Sequence, residues 1–255
     1  MIALVRAVSR SLARCELTHL ERTPIDVAKA REQHAGYCAT LARLGCEVRV
    51  LAEEPELPDS VFVEDTALVL DSVAVLMRPG APSRRAEVDA VAAALEGLRP
   101  LLLLDGPGTI DGGDVVVVDR DVYVGLSSRS DAAGVDALAR ALRPLGYSVR
   151  GVELEGCLHL KTAACAIGRN TVTANPVWID PSALGRRRVI EVDPREPFAA
   201  NAFSVGGTVV HASSYPLTRA RIEAAGFVVA PVPADELAKA EGGVTCCSLI
   251  LADVE

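Results

Sequence analysis

Gly242-Gly243-Val244-Thr245-Cys246-Cys247-Ser248-Leu249-Ile250-Leu251 opens the last of five similar apolar segments. The other four begin near Ala67, Val115, Ala163 and Ala202, so successive starts lie 48, 48, 39 and 44 residues apart. Spacing this regular, inside the ~20–50-residue band of repeat proteins, predicts repeated supersecondary units whose equivalent positions surround one pseudo-rotation axis. Glu64 and Asp65, Asp111 and Asp114, His159, Asn201 and Cys246 stand at or just before these starts. Reactive side chains far apart in sequence are therefore expected to meet at the axis.

Outward from these starts, each unit repeats one order of elements. Val88, Val91, Leu95 and Leu98 form a helical stripe within 84–98, and Val135, Leu138, Leu142 and Leu145 form another, with Ser130 as the expected N-cap and Gly146 as the stop. Helical segments at 28–44 and 218–225 end at Gly45 and Gly226, and 181–184 predicts only a short helix. Apolar runs at 48–51, 101–104, 149–154, 189–192 and 227–229 follow and are rich enough in strand formers to predict buried strands. Hairpins are expected over 66–77, 115–124, 165–173 and 203–211. The fifth lacks a second strand unless 246–251 pairs with 2–5, which closes the ring. The expected architecture is an α/β propeller-like disc with a central cavity.

At 255 residues, half of them hydrophobic, the chain can bury a sizeable core, and no composition break divides it, so residues 1–255 are read as one domain. Its net charge of −8, without a Lys/Arg block, disfavours nucleic acid and suits a small cationic partner. Arg6 and Arg10 interrupt the N-terminus before a signal core can form, and no apolar run approaches the ~18 residues that span a bilayer, so a cytoplasmic protein without a membrane partner is expected. Seven cysteines without a CxxC pair predict neither a disulfide framework nor a structural zinc site.

Taken alone, Cys246 reads as a buried structural thiol and His159 as a satisfied core histidine. Their equivalent places in two units change the reading: a thiol after Gly242-Gly243 becomes a nucleophile at the cavity rim, and an imidazole opposite it becomes a proton shuttle. Strand alternation would turn Cys247 to the other face. Asp111-Gly112-Gly113-Asp114 by itself reads as a turn. Together with Glu64-Asp65, however, it surrounds the axis with carboxylates, which need a cationic partner. Arg84 and Arg129 read individually as solvated charges beside helix starts. Set against those acids, they suit a zwitterion whose carboxylate they hold.

The segments 58–65, 78–85, 111–114, 158–162, 200–201 and 245–248, taken in order, resemble the dimethylarginine dimethylaminohydrolases of the guanidine-modifying superfamily over nearly the whole chain. The resemblance implies the pentein fold, a five-bladed α/β propeller of ββαβ-type units, working on a methylated arginine without cofactor or metal. Carried over residue by residue, it makes Cys246 the nucleophile, His159 the general acid and base, and Asp111 the carboxylate that orients the histidine. It gives the guanidinium to Asp65 with Glu64 close by, the α-amino group to Asp59 and the backbone carbonyls of Leu17 and Ala240, and the α-carboxylate to Arg84 and Arg129. A homodimer stays open.

Two other readings stand beside it. Arginine deiminases share the thiol, histidine and carboxylates but usually carry an acid two residues after the histidine, where this chain has Lys161. Another N-substituted arginine is a further substrate option. A noncatalytic arginine-analogue binder, or a zinc-binding protein using Cys246 and His159, would need fewer of these features but lacks the three or four ligands zinc prefers.

Overall fold

The computed structural model describes residues 1–252 of the chain. Among them, fifteen strands form five three-stranded sheets. In chain order these comprise Ala67–Val69, Ala74–Leu76 and Leu101–Leu103; Val115–Val118, Asp121–Leu126 and Ser148–Glu153; Ala164–Gly168, Thr171–Ala174 and Arg188–Glu191; and Ala202–Val205, Thr208–Ala212 and Val228–Val232. The fifth joins the two ends of the chain, Leu249–Leu251 running antiparallel to Ile2–Arg6, which runs parallel to Glu47–Leu51. Every blade repeats this pattern of an antiparallel hairpin and then a parallel third strand. The fold is the expected five-bladed α/β propeller, closed between its first and last strands.

A parallel partner cannot be reached through a tight turn, so a crossover must link the second and third strands. Val27–Arg43, Glu87–Leu95, Ala132–Leu142 and Pro216–Ala224 supply it as helices, and the 3₁₀ turn Pro181–Leu184 supplies it in the remaining blade. Val91, Leu95, Leu138 and Leu142 bury completely along the predicted stripes. Gly146 ends its helix region at φ 79°, where a side chain would be strained. The N-cap of Ala132–Leu142 is Asp131, whose carboxylate accepts from the Gly134 N–H, rather than Ser130; the Ser130 hydroxyl instead points inward to Asp114.

Two further expectations change. The parallel third strands are only partly buried, because each is the outer edge of its blade: Val50, Leu103 and Val228 are 58%, 73% and 67% exposed, while Val152, Ile190 and Val232 are buried. Cys246 does not open a strand. It lies in a turn, and the strand begins at Leu249. The same is true around the ring, where single helical turns at Val63–Thr66, Gly112–Asp114 and Leu160–Ala163 precede the innermost strands. Such a turn aims consecutive residues in several directions, whereas a strand would alternate them between two faces. All seven cysteines are free, and no helix among the described residues is long and apolar enough to cross a membrane.

Candidate active site

The inner turns bring the axial residues together, and glycine permits the approach. A Cβ on Gly112 would lie 1.9 Å from the Glu64 carbonyl oxygen, and one on Gly113 would lie 2.6 Å from Asp65 Oδ1 and 2.7 Å from His159 Nδ1. At Gly242 and Gly243 the obstructions are the Phe62 ring and the Asn201 amide, at 2.2 and 2.3 Å. Gly112-Gly113 and Gly242-Gly243 thus let neighbouring blades pack backbone against side chain at the axis.

Asp111 is fully buried and anchored before it acts. The Gly80 N–H donates to Oδ1 at 2.8 Å, and the Ser130 hydroxyl receives the Asp111 N–H at 3.0 Å. Its Oδ2 faces His159 Nε2 at 3.1 Å and Arg129 Nη1 at 3.6 Å. Asp114 secures the next residue: Oδ1 accepts the Leu160 N–H at 2.9 Å, and Oδ2 accepts the hydroxyls of Ser127 and Ser130. The imidazole is therefore held at Nε2, and the chain just after it is held through the Leu160 N–H.

Burial opposes a charge on His159, but Asp65, Asp114 and the Asp111 hydrogen bond outweigh it and raise the pKa from 6.5 to about 9. Burial likewise favours neutral Asp65, while Arg84 and His159 hold its pKa down to about 2. Asp114 is pushed up to about 6 by burial, partly offset by His159 and its hydrogen bonds. The Cys246 thiol is driven well upward by desolvation and by Glu64 and Asp65, so the resting sulfur is protonated. A cation arriving beside it would reverse part of that shift.

Cys246 is partly exposed, and its Sγ accepts the Gly243 N–H at 3.3 Å. Asn201 braces the turn that carries it: Oδ1 accepts the Thr245 N–H, while Nδ2 donates to Thr245 Oγ1 and to the Lys161 carbonyl. Cys247 is buried in the core beside Tyr37 and Val244. Its inward direction comes from the turn, not from strand alternation.

Cys246 and His159 border two cavities at once. The smaller, about 20 Å³, is lined by Asp59, Asp65, Arg84, Arg129, Phe62 and Ala240. The larger, about 120 Å³, extends past Lys161 and Asn201 toward Phe198 and Tyr215. Arg84 is not a solvated helix start. Its guanidinium is buried and donates to Asp65, to Glu87 at 2.7 and 3.1 Å, and to the carbonyls of Phe62 and Asp59. Asp59 Oδ2 accepts the Glu16 N–H at 3.0 Å, and burial raises its pKa.

Glu64 stands apart from this group. It lines a third cavity on the far side, pairs with Lys161 Nζ at 2.6 Å and accepts from Thr245 Oγ1 at 2.7 Å. Lys161 therefore occupies the carboxylate that the sequence placed beside Asp65. Leu17 lines neither cavity around Cys246, whereas its neighbours Glu16, His19 and Leu20 do. Glu241 had no signal in the sequence, because only its left-handed φ of 58° and its distant partners reveal it. Its carboxylate accepts the consecutive N–H groups of Thr18, His19 and Leu20, pinning that segment over the site.

The buried carboxylates of Asp59, Glu64, Asp65, Glu87, Asp111 and Asp114 outnumber the facing cations Arg84, Arg129 and Lys161. That imbalance suits a guanidinium. Asp65, Asp111 and His159 also place three ligand atoms within 4.8 Å, but Cys246 is not in this set, and Arg84 and Arg129 already supply positive charge to it.

Comparison with known proteins agrees with the geometry. The family model for eukaryotic N,N dimethylarginine dimethylhydrolase matches residues 18–251. A dimethylarginine dimethylaminohydrolase from Streptomyces coelicolor is 38% identical over 99% of this chain and 97% of its own length. One from Pseudomonas aeruginosa is 34% identical over 88% of this chain and 89% of its own. A structure of the Pseudomonas enzyme, a cysteine-to-serine mutant complexed with citrulline, covers 97% of both chains with a TM-score of 0.92 and 33% identity. The N-terminal domain of a cyanobacterial arginine dihydrolase shares the fold, with a TM-score of 0.86 at 22% identity over 97% of this chain and 96% of that one. The chain belongs to the dimethylarginine dimethylaminohydrolase family of amidine hydrolases.

Proposed function

We propose that this chain, acting as one catalytic domain, hydrolyses N-ω-methylated arginines to citrulline and the corresponding methylamine through a covalent intermediate on Cys246. The observation that carries the proposal is the shared position of Cys246 and His159 at the junction of a charged cavity and an apolar one, with Asp111 holding the imidazole.

The amino-acid end of the substrate enters the smaller cavity. Arg84 and Arg129 hold its carboxylate, and Asp59 takes the ammonium with help from the backbone carbonyl of Ala240. The guanidinium comes to Asp65, while Glu64 stays with Lys161 and adds negative potential behind the sulfur. Docking brings a cation beside a thiol whose pKa is raised by burial and acids, so the Cys246 proton passes to water and leaves the thiolate. Sulfur then forms a bond to the guanidino carbon, and His159, charged at neutral pH, gives its proton to the departing methylated nitrogen. The carbon–nitrogen bond breaks. The neutral imidazole next takes a proton from water, hydroxide adds to the thiouronium carbon, and the carbon–sulfur bond breaks, the hydroxyl proton passing to the departing sulfur as citrulline is released.

A mass spectrum of protein quenched during turnover of dimethylarginine should show an adduct on the peptide containing Cys246, with dimethylamine in solution. Ammonia release from unmethylated arginine at a comparable rate would instead support deiminase chemistry. Turnover without any adduct, under conditions that trap thiouroniums, would remove the covalent step.

A further inference from the structure

We propose that the larger cavity is a binding site for the substituent on the departing guanidino nitrogen, and that it takes unbranched alkyl groups of up to about four carbons. The inference rests on the hydrolytic reading above and names the substrate class that the same site would accept.

The leaving nitrogen must stand beside the group that protonates it. His159 and Cys246 border both cavities, but the smaller one already presents the charged groups that match an amino acid. Whatever the leaving nitrogen carries is therefore directed into the larger one. That space is too big for methyl groups alone. At 10–15 Å³ for each water-sized group, about 120 Å³ accommodates roughly eight, against two for a dimethylamino group.

Its lining is mostly apolar. Ala212, Ala234, Ala238, Val244 and Tyr215 line it with Ser214, and three alanines leave the volume open. The charged groups of the lining are turned to other partners. Lys161 Nζ is held by Glu64 and the Gly112 carbonyl, and the Glu241 carboxylate by three backbone N–H groups. An alkyl chain would therefore displace water without stripping a charged group of its only partner. Phe198, 37% exposed and packed edge-on against Trp178 at 4.9 Å, marks the rim through which the amine can leave.

The reaction balances as for methylarginine. Cys246 sulfur bonds to the guanidino carbon, the bond to the substituted nitrogen breaks with a proton from His159, and water then cleaves the carbon–sulfur bond. The products are citrulline and a primary alkylamine.

Nω-methyl-, Nω-propyl- and Nω-butyl-L-arginine should be assayed with the intact chain for release of the corresponding amine. The kcat/KM for the butyl compound is expected to fall no more than about tenfold below that for the methyl compound, since each buried methylene favours binding by up to about fourfold. Ala238→Leu and Ala234→Leu, which fill the cavity from two positions, should each lower the butyl-to-methyl ratio by about tenfold or more. Rapid methyl turnover with a butyl rate down more than about a hundredfold in the unaltered chain overturns the inference and leaves the methylarginine reading standing. An unchanged ratio in both folded variants overturns it as well. If neither compound is hydrolysed, the parent reading fails and this inference falls with it.

Discussion

The inner and outer ends of each blade obey different rules. At the axis, single helical turns carry Glu64, Asp65, Asp111, Asp114 and His159 into a crowded, largely buried cluster, with the turn of Cys246 beside them. At the rim, the third strands carry apolar residues such as Val50, Leu103 and Val228 that remain mostly in water. Apolar character therefore does not report depth in this fold, and charge does not report surface. Position along the blade does. A ring of small sheets has one crowded end, where five units converge, and one sparse end, where edge strands face solvent.

The largest effect should come from the axis. Cys246→Ser should lower turnover on the order of 10⁴-fold or more while leaving the thermal transition within a few degrees, because a hydroxyl lacks the thiol's acidity and nucleophilicity. Near-normal activity in that variant would falsify the assigned chemistry. Gly113→Ala tests the crowding itself. Its Cβ would press on Asp65 Oδ1 and His159 Nδ1, so kcat should fall by about 100-fold through misplacement of the acid and base. A variant with full activity would mean that the inner turns have slack the geometry does not show.

The charge at the axis has its own signature. His159 has its pKa raised from 6.5 to about 9, so the stability its protonation contributes is fully present below about pH 6.5 and lost as pH rises through about 9. Chemical denaturation of the native chain and His159→Gln should show their difference in unfolding free energy shrinking by about 3 kcal/mol between about pH 6 and about pH 10. A constant difference across that range would separate the imidazole's charge from the surrounding acids. The smallest effect belongs to the rim. Leu103→Thr, on an exposed edge strand, should change unfolding free energy by no more than about 0.5 kcal/mol and leave kcat/KM unaltered. A large loss there would erase the contrast between the two ends.

Much of the ring was legible because it is written in periods. The spacing of the apolar starts, the helical stripes ending in Gly45, Gly146 and Gly226, and the unpaired strand at each terminus are local patterns, and the structure realises them with shifts of a few residues. Cys246, His159 and Asp111 were recognisable because equivalent places in different units carry complementary chemistry. Glu241 was invisible, since its partners Thr18, His19 and Leu20 lie more than 200 residues away and share no pattern with it. The roles of neighbours could not be separated either. Glu64 and Asp65 are adjacent in sequence, yet one faces Lys161 and the other faces Arg84.

By itself, the sequence determined the repeat, the order of elements in each blade, the closure between termini and the residue types at the axis, because these depend on periodicity and local backbone preference. Tertiary structure alone decided which carboxylate meets which cation, that the third strands lie at the solvent edge, and that the nucleophile's neighbourhood divides into a charged cavity and an apolar one. Those outcomes depend on close approach between blades, where a missing Cβ at Gly113 or Gly243 fixes distances that no one-dimensional pattern encodes.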